Sequence, residues 1–160
     1  MNSLRVVALP CITLLTVACG GPDPRFTGYA RQVALTGDSA FAAVAPYRGV
    51  KGAGELAYRD SLSRLLERQS MAFAVLVPHD SVLALHRQMT EGLDTLVIAL
   101  RTLRERETSC SDTTRIDCVD DRDLREILAS FRAGDSIYLG ARRRMRAALA
   151  DHGVSLAELQ

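Results

Sequence analysis

The chain has no surplus of either charge: 20 basic residues stand against 19 acidic ones over 160 positions, a formal net charge of +1. A surface that binds nucleic acid needs an excess of Arg and Lys, so no nucleic-acid partner is expected. Sustained alternation of apolar and polar residues is also missing, which removes a half-buried β-sheet. The sequence has no G-x-S-x-G, no Walker loop, no G-x-G-x-x-G and no H-E-x-x-H, so the usual signatures of hydrolases, nucleotide-binding proteins and metalloproteases are absent. Gly52-Ala53-Gly54 precedes a helix without the rest of a phosphate-binding signature and reads as a loop. What is present excludes disorder, because 48% of the residues are apolar. A length of 160 residues fits one domain.

The N-terminus lacks a membrane-spanning run. Residues 1–5 are short and positive, and residues 6–18 form an uncharged stretch of thirteen. A helix that crosses a bilayer needs ~20 apolar residues, and Pro10 opposes a permanent span. The stretch suits the apolar region of a signal peptide. It runs into Leu15-Thr16-Val17-Ala18-Cys19-Gly20, which resembles the lipobox of bacterial lipoprotein precursors, with Thr16 where that pattern usually has leucine. The resemblance covers residues 1–20 only. It implies a diacylglyceryl group on the Cys19 sulfur, cleavage between Ala18 and Cys19, and acylation of the new amino group. Two or three acyl chains make attachment effectively permanent, at ~0.8 kcal/mol per buried methylene. The other way to read the segment is an ordinary secretory signal cut near Ala18-Cys19-Gly20.

This divides the chain into a signal peptide (1–18), a Gly- and Pro-rich tether (19–24) and a helical domain (25–160). The second mature residue is Gly20, not the aspartate that retains some lipoproteins at the inner membrane. The expected location is therefore the outer membrane, facing the periplasm, in a cell with two membranes, and otherwise the outer face of the plasma membrane. Without residues 1–18 the chain carries 19 basic and 19 acidic residues, so no strong field steers a ligand to it.

Four segments carry helical periodicity. The third is the longest stripe: Val82, Leu85, His86, Met89, Leu93, Leu96, Val97, Leu100 and Leu103 recur at intervals of three and four. The second, about 55–77, places Leu62, Leu65, Leu66, Met71, Phe73, Leu76 and Val77 inward, with Glu55–Arg59 and Asp60–Arg64 as i,i+4 pairs on its wet side. Residues 71–77 are read as its buried end, against a buried strand or a membrane patch. Pro78 then falls at the first position of the third helix, where a missing N–H is harmless. The fourth segment, about 121–150, uses Leu124, Ile127, Leu128, Phe131, Tyr138, Met145 and Leu149, with Asp120 or Asp121 as N-cap. Gly134 and Gly140 weaken it by up to ~1 kcal/mol each. The first, about 24–45, has Phe26, Ala30, Val33, Ala40, Phe41 and Val44 on one face and Gly37 inside it. A Gly-rich loop at 47–54, a proline corner at Pro78 and a polar loop at 108–119 connect them, and 155–160 adds one short turn at most. The expected fold is all-α, an antiparallel four-helix bundle after a cleaved N-terminal signal peptide.

Four cysteines are placed informatively. Cys11 leaves with the signal and Cys19 takes lipid, which leaves Cys110 and Cys118 in the polar loop. Export puts them where disulfides persist, and a bridge closing that loop contributes ~2.6 kcal/mol by the loop-entropy relation. Half a metal site and a redox pair are the other readings, but Cys-x7-Cys is neither a zinc spacing nor Cys-x-x-Cys, and no His lies in the loop. His86 with Met89 three residues on can be drawn as a haem or copper ligand pair. The plainer reading is a boundary histidine that reaches a carboxylate. Arg142, Arg143 and Arg146 share a helix side that suits anionic headgroups or an acidic partner, or a solvated face neutralised by Asp135 and the acidic loop residues Asp112, Asp117, Asp120, Asp121 and Asp123.

The function expected from these features is a lipid-anchored structural or protein-interaction component of the cell envelope, with no catalysis and no cofactor. Its partners would be the membrane, through Cys19, and an envelope protein. The alternative is a carrier of haem, metal or an apolar molecule in a pocket between the helices, near His86 and Met89.

Overall fold

The computed structural model describes residues 23–48, 60–109 and 119–154. Within them the chain forms four helices: α1 (Pro24–Val44), α2 (Asp60–Ala74), α3 (Leu83–Ser109) and α4 (Asp121–Asp151), with no strand among the described residues. The signal peptide, Cys19, most of the Gly-rich loop, the Glu55–Arg59 pair, the side chain of Asp60 and with it the Asp60–Arg64 pair, Cys110, Cys118, Asp112, Asp117 and the tail 155–160 lie outside what is described.

Local chemistry sets the helix ends. The Asp23 carboxylate accepts from Arg25 N at 2.9 Å and Pro24 occupies the first turn, so α1 starts on a preset φ with one donor capped. Asp120 caps α4 in the same way, through Arg122 N at 3.0 Å, and Asp121 and Asp123 add negative charge to its first turn. At the other end of α4, Gly153 takes φ +77°, and Val154 N bonds Leu149 O at 3.0 Å. That Schellman turn folds the buried Val154 back on the core. α3 begins differently from the sequence expectation: Pro78 precedes the helix instead of opening it. His79 caps a 3-10 turn, Asp80–Val82, through Ser81 N, and α3 continues from it.

Pairs of contacts fix the topology. Phe26 lies edge-on to His79 and to His152, at 5.5 and 4.8 Å between ring centroids. The start of α1, the start of α3 and the end of α4 therefore meet at one pole, and Phe73 near the end of α2 stacks on His86 there. Farther up, Glu67 of α2 pairs with Arg101 of α3, and Arg106 of α3 pairs with Asp123 of α4. The helices run up, down, up and down: an antiparallel four-helix bundle.

One core fills it. Phe26, Ala30, Val33, Leu62, Leu66, Phe73, Met89, Leu93, Leu96, Leu100, Phe131, Tyr138, Met145 and Leu149 are all buried. The closest helix pair is α3 with α4, and its cause is two glycines. A Cβ on Gly92 would stand 2.6 Å from the backbone N of Tyr138, and one on Gly134 would stand 3.0 Å from Gly92 O and from Leu96 N. Gly134 is thus a contact point of the two backbones and not merely a weak place in α4. Gly140, by contrast, faces open space.

The second helix is shorter than its apolar pattern. It stops at Ala74, and Met71 (63% exposed), Val75 (78%) and Val77 (86%) stand in solvent, while Phe73 is buried and Leu76 partly so. The expectation that Met71 and Val77 belong to the core is corrected. Once the helix ends at Ala74, the chain through 75–79 has no 3.6-residue period to carry Val77 inward.

Candidate functional site

Histidine 86 sits on the inward face of α3 and is 7% exposed. Its Nδ1 lies 3.1 Å from the hydroxyl of Tyr29, and its ring stacks on Phe73 with centroids 5.3 Å apart. Burial pushes the Tyr29 phenol up, so it keeps its proton; burial likewise holds His86 below the ordinary imidazole range. The Tyr29 hydroxyl and Nδ1 thus share one hydrogen bond, whose donor is set by the imidazole tautomer. The partner is a hydroxyl on α1, not the carboxylate expected from the sequence.

Met89 is a turn farther along but points elsewhere. It is fully buried, and its Cε lies near Gly37 of α1, about 3.5 Å from where a Cβ would stand there. The cavity that touches Met89, between Val33, Asp38, Arg142, Met145 and Leu149, encloses about 10 Å³. That is room for about one water, far below the ~300 Å³ of a small-molecule pocket. His86 instead borders a shallow open groove of about 590 Å³ that runs along α3 beside the end of α2, with Ala74, Arg87, Thr90, Glu91 and Asp94. Met89 does not line that groove, so His86 and Met89 do not converge on one space.

A polar seam ties the upper part of α1 to α4. Arg48 grips Asp135 with two donors, Nε to Oδ2 at 2.9 Å and Nη2 to Oδ1 at 3.0 Å, and Asp135 is 8% exposed. Arg142 and Arg146 both reach Asp38. The Phe41 ring carries the guanidinium of Arg48 and that of Arg142, each 4.3 Å from its centroid. Tyr138 donates its buried hydroxyl to Gly37 O at 2.6 Å; burial, then Asp38 and Asp135, push that phenol up against the opposing pull of Arg142 and Arg48. Asp135 therefore does not neutralise the arginine cluster, of which Arg143 and Arg144 remain exposed. Arg142 and Arg146 turn onto α1, Arg144 reaches Gln88 Oε1 of α3 at 2.6 Å, and Asp135 belongs to Arg48. Sequence periodicity missed this seam, because its members sit 87 to 108 positions apart.

Chemically the seam is closed. Its carboxylates are neutralised by guanidiniums already in contact with them, and every buried side-chain N or O among the described residues has a partner. No group of three or more His, Cys, Asp or Glu suited to a metal occurs among the described residues, and no described helix is long and apolar enough to cross a membrane. Comparison of the chain with protein families, with curated proteins and with solved structures found no match in any of the three.

Proposed function

We propose that the protein is a lipid-anchored component of the bacterial cell envelope whose helical domain serves structure or protein interaction and performs no catalysis. The observation that carries this reading is Leu15-Thr16-Val17-Ala18-Cys19-Gly20, placed directly after a thirteen-residue uncharged stretch with a positive start. The Cys19 thiol is the nucleophile that receives the diacylglyceryl group, and the anchored chain faces the periplasm at the outer membrane, or the exterior in a cell with one membrane. Support for an interaction role comes from the interior, which is filled by side chains and held by the α1–α4 seam. A bundle of that kind presents surfaces. The polar loop is closed by a disulfide between Cys110 and Cys118, which export into an oxidising compartment favours.

Cys19→Ser tests the anchor. The unmodified protein, isolated from membranes, is expected to show the mass of a lipidated chain beginning at residue 19, and the Ser variant is expected to keep residues 1–18 and gain no lipid. A Ser variant that is still cut after Ala18 and released in soluble form would replace the anchor with an ordinary secretory signal.

A further inference from the structure

Residues 71–78, Met-Ala-Phe-Ala-Val-Leu-Val-Pro, contain no charged or hydrogen-bonding side chain. Within this run Met71, Ala72, Ala74, Val75 and Val77 are exposed. Five apolar side chains in solvent on one short stretch are unlike the scattered single apolar residues of an ordinary surface. Val77, at 86%, is the most exposed of the large apolar residues described. The stretch is also at a particular place. It joins the end of α2 to the start of α3, at the pole where Phe26 of α1 meets His79 and His152, and it is from this pole that the chain leads back through Asp23 to Cys19.

The length of that lead decides what lies opposite the patch. Pro24 lies five positions beyond Cys19, and a fully drawn-out chain spans at most ~3.6 Å per residue, so an acylated Cys19 holds Pro24 within about 18 Å of the bilayer surface. The far pole is out of reach of that surface when the bundle stands on this end, since the 31 residues of α4 rise ~46 Å. Headgroup charge is not the attraction: among the exposed charges at the same pole Asp23, Asp80 and Asp151 outnumber Arg25, and Arg142 and Arg146 are engaged with Asp38 higher up.

We infer that Met71, Val75 and Val77 form an apolar tip that dips into the interfacial region of the bilayer and stands the bundle upright on the membrane beside its own lipid anchor. This inference rests on lipidation of Cys19. The tip works as a second, non-covalent foot: weak alone, it acts at the high effective concentration that the short tether imposes, and it fixes an orientation that the tether alone leaves open.

The absence of tryptophan from the chain supplies the test. Two single-tryptophan variants, Val77→Trp at the tip and Ile98→Trp on the exposed side of α3, are purified from membranes, their mass at Cys19 is read, and they are reconstituted into phosphatidylcholine vesicles with and without brominated acyl chains. Residue 98 lies 15 positions into α3 and ~22 Å up the bundle. The expected result is a lipidated mass for both, blue-shifted emission and strong quenching by bromolipid for the tryptophan at 77, and neither for the one at 98. A lipidated protein whose tryptophan at 77 is quenched by aqueous iodide as readily as the one at 98, and not by bromolipid, overturns the tip and leaves the anchor standing. Protection from both quenchers would put a protein over the patch and overturns it equally. Loss of the lipid mass itself overturns the anchor, and the tip with it.

Discussion

Replacing Gly92 with alanine adds one methyl group where α3 crosses α4, and two opposing effects can be weighed. Alanine inside a helix is favoured over glycine by ~1 kcal/mol. Against this, the new Cβ would stand 2.6 Å from the backbone N of Tyr138 and 2.8 Å from its Cα and Cβ, roughly 1 Å inside the ordinary 3.5–4.0 Å contact. Two of these atoms are main chain, so no rotamer change relieves the clash and α4 has to back away. That movement also disturbs the Tyr138 bond to Gly37 and loosens the layer of Leu93, Leu96 and Phe131. Overpacking of this kind costs ~1–3 kcal/mol. At the upper end the net loss is ~2 kcal/mol, which for a domain of this size lowers the melting temperature by roughly 8 °C. Gly140→Ala is the control: its Cβ meets nothing within 4 Å, so the same propensity gain should raise the melting temperature by roughly 4 °C. Thermal melts followed by circular dichroism read both. A Gly92→Ala protein whose melting temperature rises as that of Gly140→Ala does would refute the close crossing.

Leu93 is fully buried in mid-α3, so Leu93→Asp places an unpaired carboxylate in the core at a cost of several kcal/mol, a large part of the ~5–15 kcal/mol that holds a domain together; an unchanged melt would remove residue 93 from the core. Because burial holds His86 below its unfolded range, the unfolded chain binds the extra proton first as pH falls. The His86 contribution is therefore complete above about pH 6.5 and is lost on the way down toward the folded value, and His86→Asn, which keeps an acceptor for Tyr29, should flatten the fall in melting temperature between pH 7 and 5. If Cys110 and Cys118 are bridged, protein purified without reductant shows no reactive thiol, and reduction lowers stability by no more than ~3 kcal/mol. Two labelled cysteines would end the disulfide proposal.

The helices themselves were legible because burial leaves a period. Val82, His86, Met89, Leu93, Leu96, Val97, Leu100 and Leu103 are all inside, as their spacing of three and four requires, and so are Ile127, Leu128, Phe131, Tyr138, Met145 and Leu149 of α4. Two kinds of feature left no such trace. Gly92 and Gly134 look locally like defects in a helix, since the backbone each must admit comes from the other helix about 40 positions away. Asp135 and Arg48 look like surface charges, and only their meeting across 87 positions makes burial tolerable. The tip failed for the opposite reason: the apolar pattern runs through Val77, but the helix that would give it a face ends at Ala74, so hydrophobicity there signals exposure and not core.

The α1–α4 seam has a consequence for how the bundle comes apart. α3 and α4 are joined by close backbones and apolar side chains, which added salt does not weaken, whereas the upper half of α1 adds Arg48–Asp135 and the pairs on Asp38 to its buried Ala40 and Val44 and the Tyr138–Gly37 bond. Arg146 and Asp38 are each about 40% exposed at their side chains, within reach of ions whose screening length is ~3 Å at 1 M. Raising the ionic strength should therefore quicken amide hydrogen exchange in the last turns of α1 while leaving the middle of α3 and α4 protected. The first helix would open like a cover from its upper end, still held at Phe26 and Tyr29, the end nearest the tether.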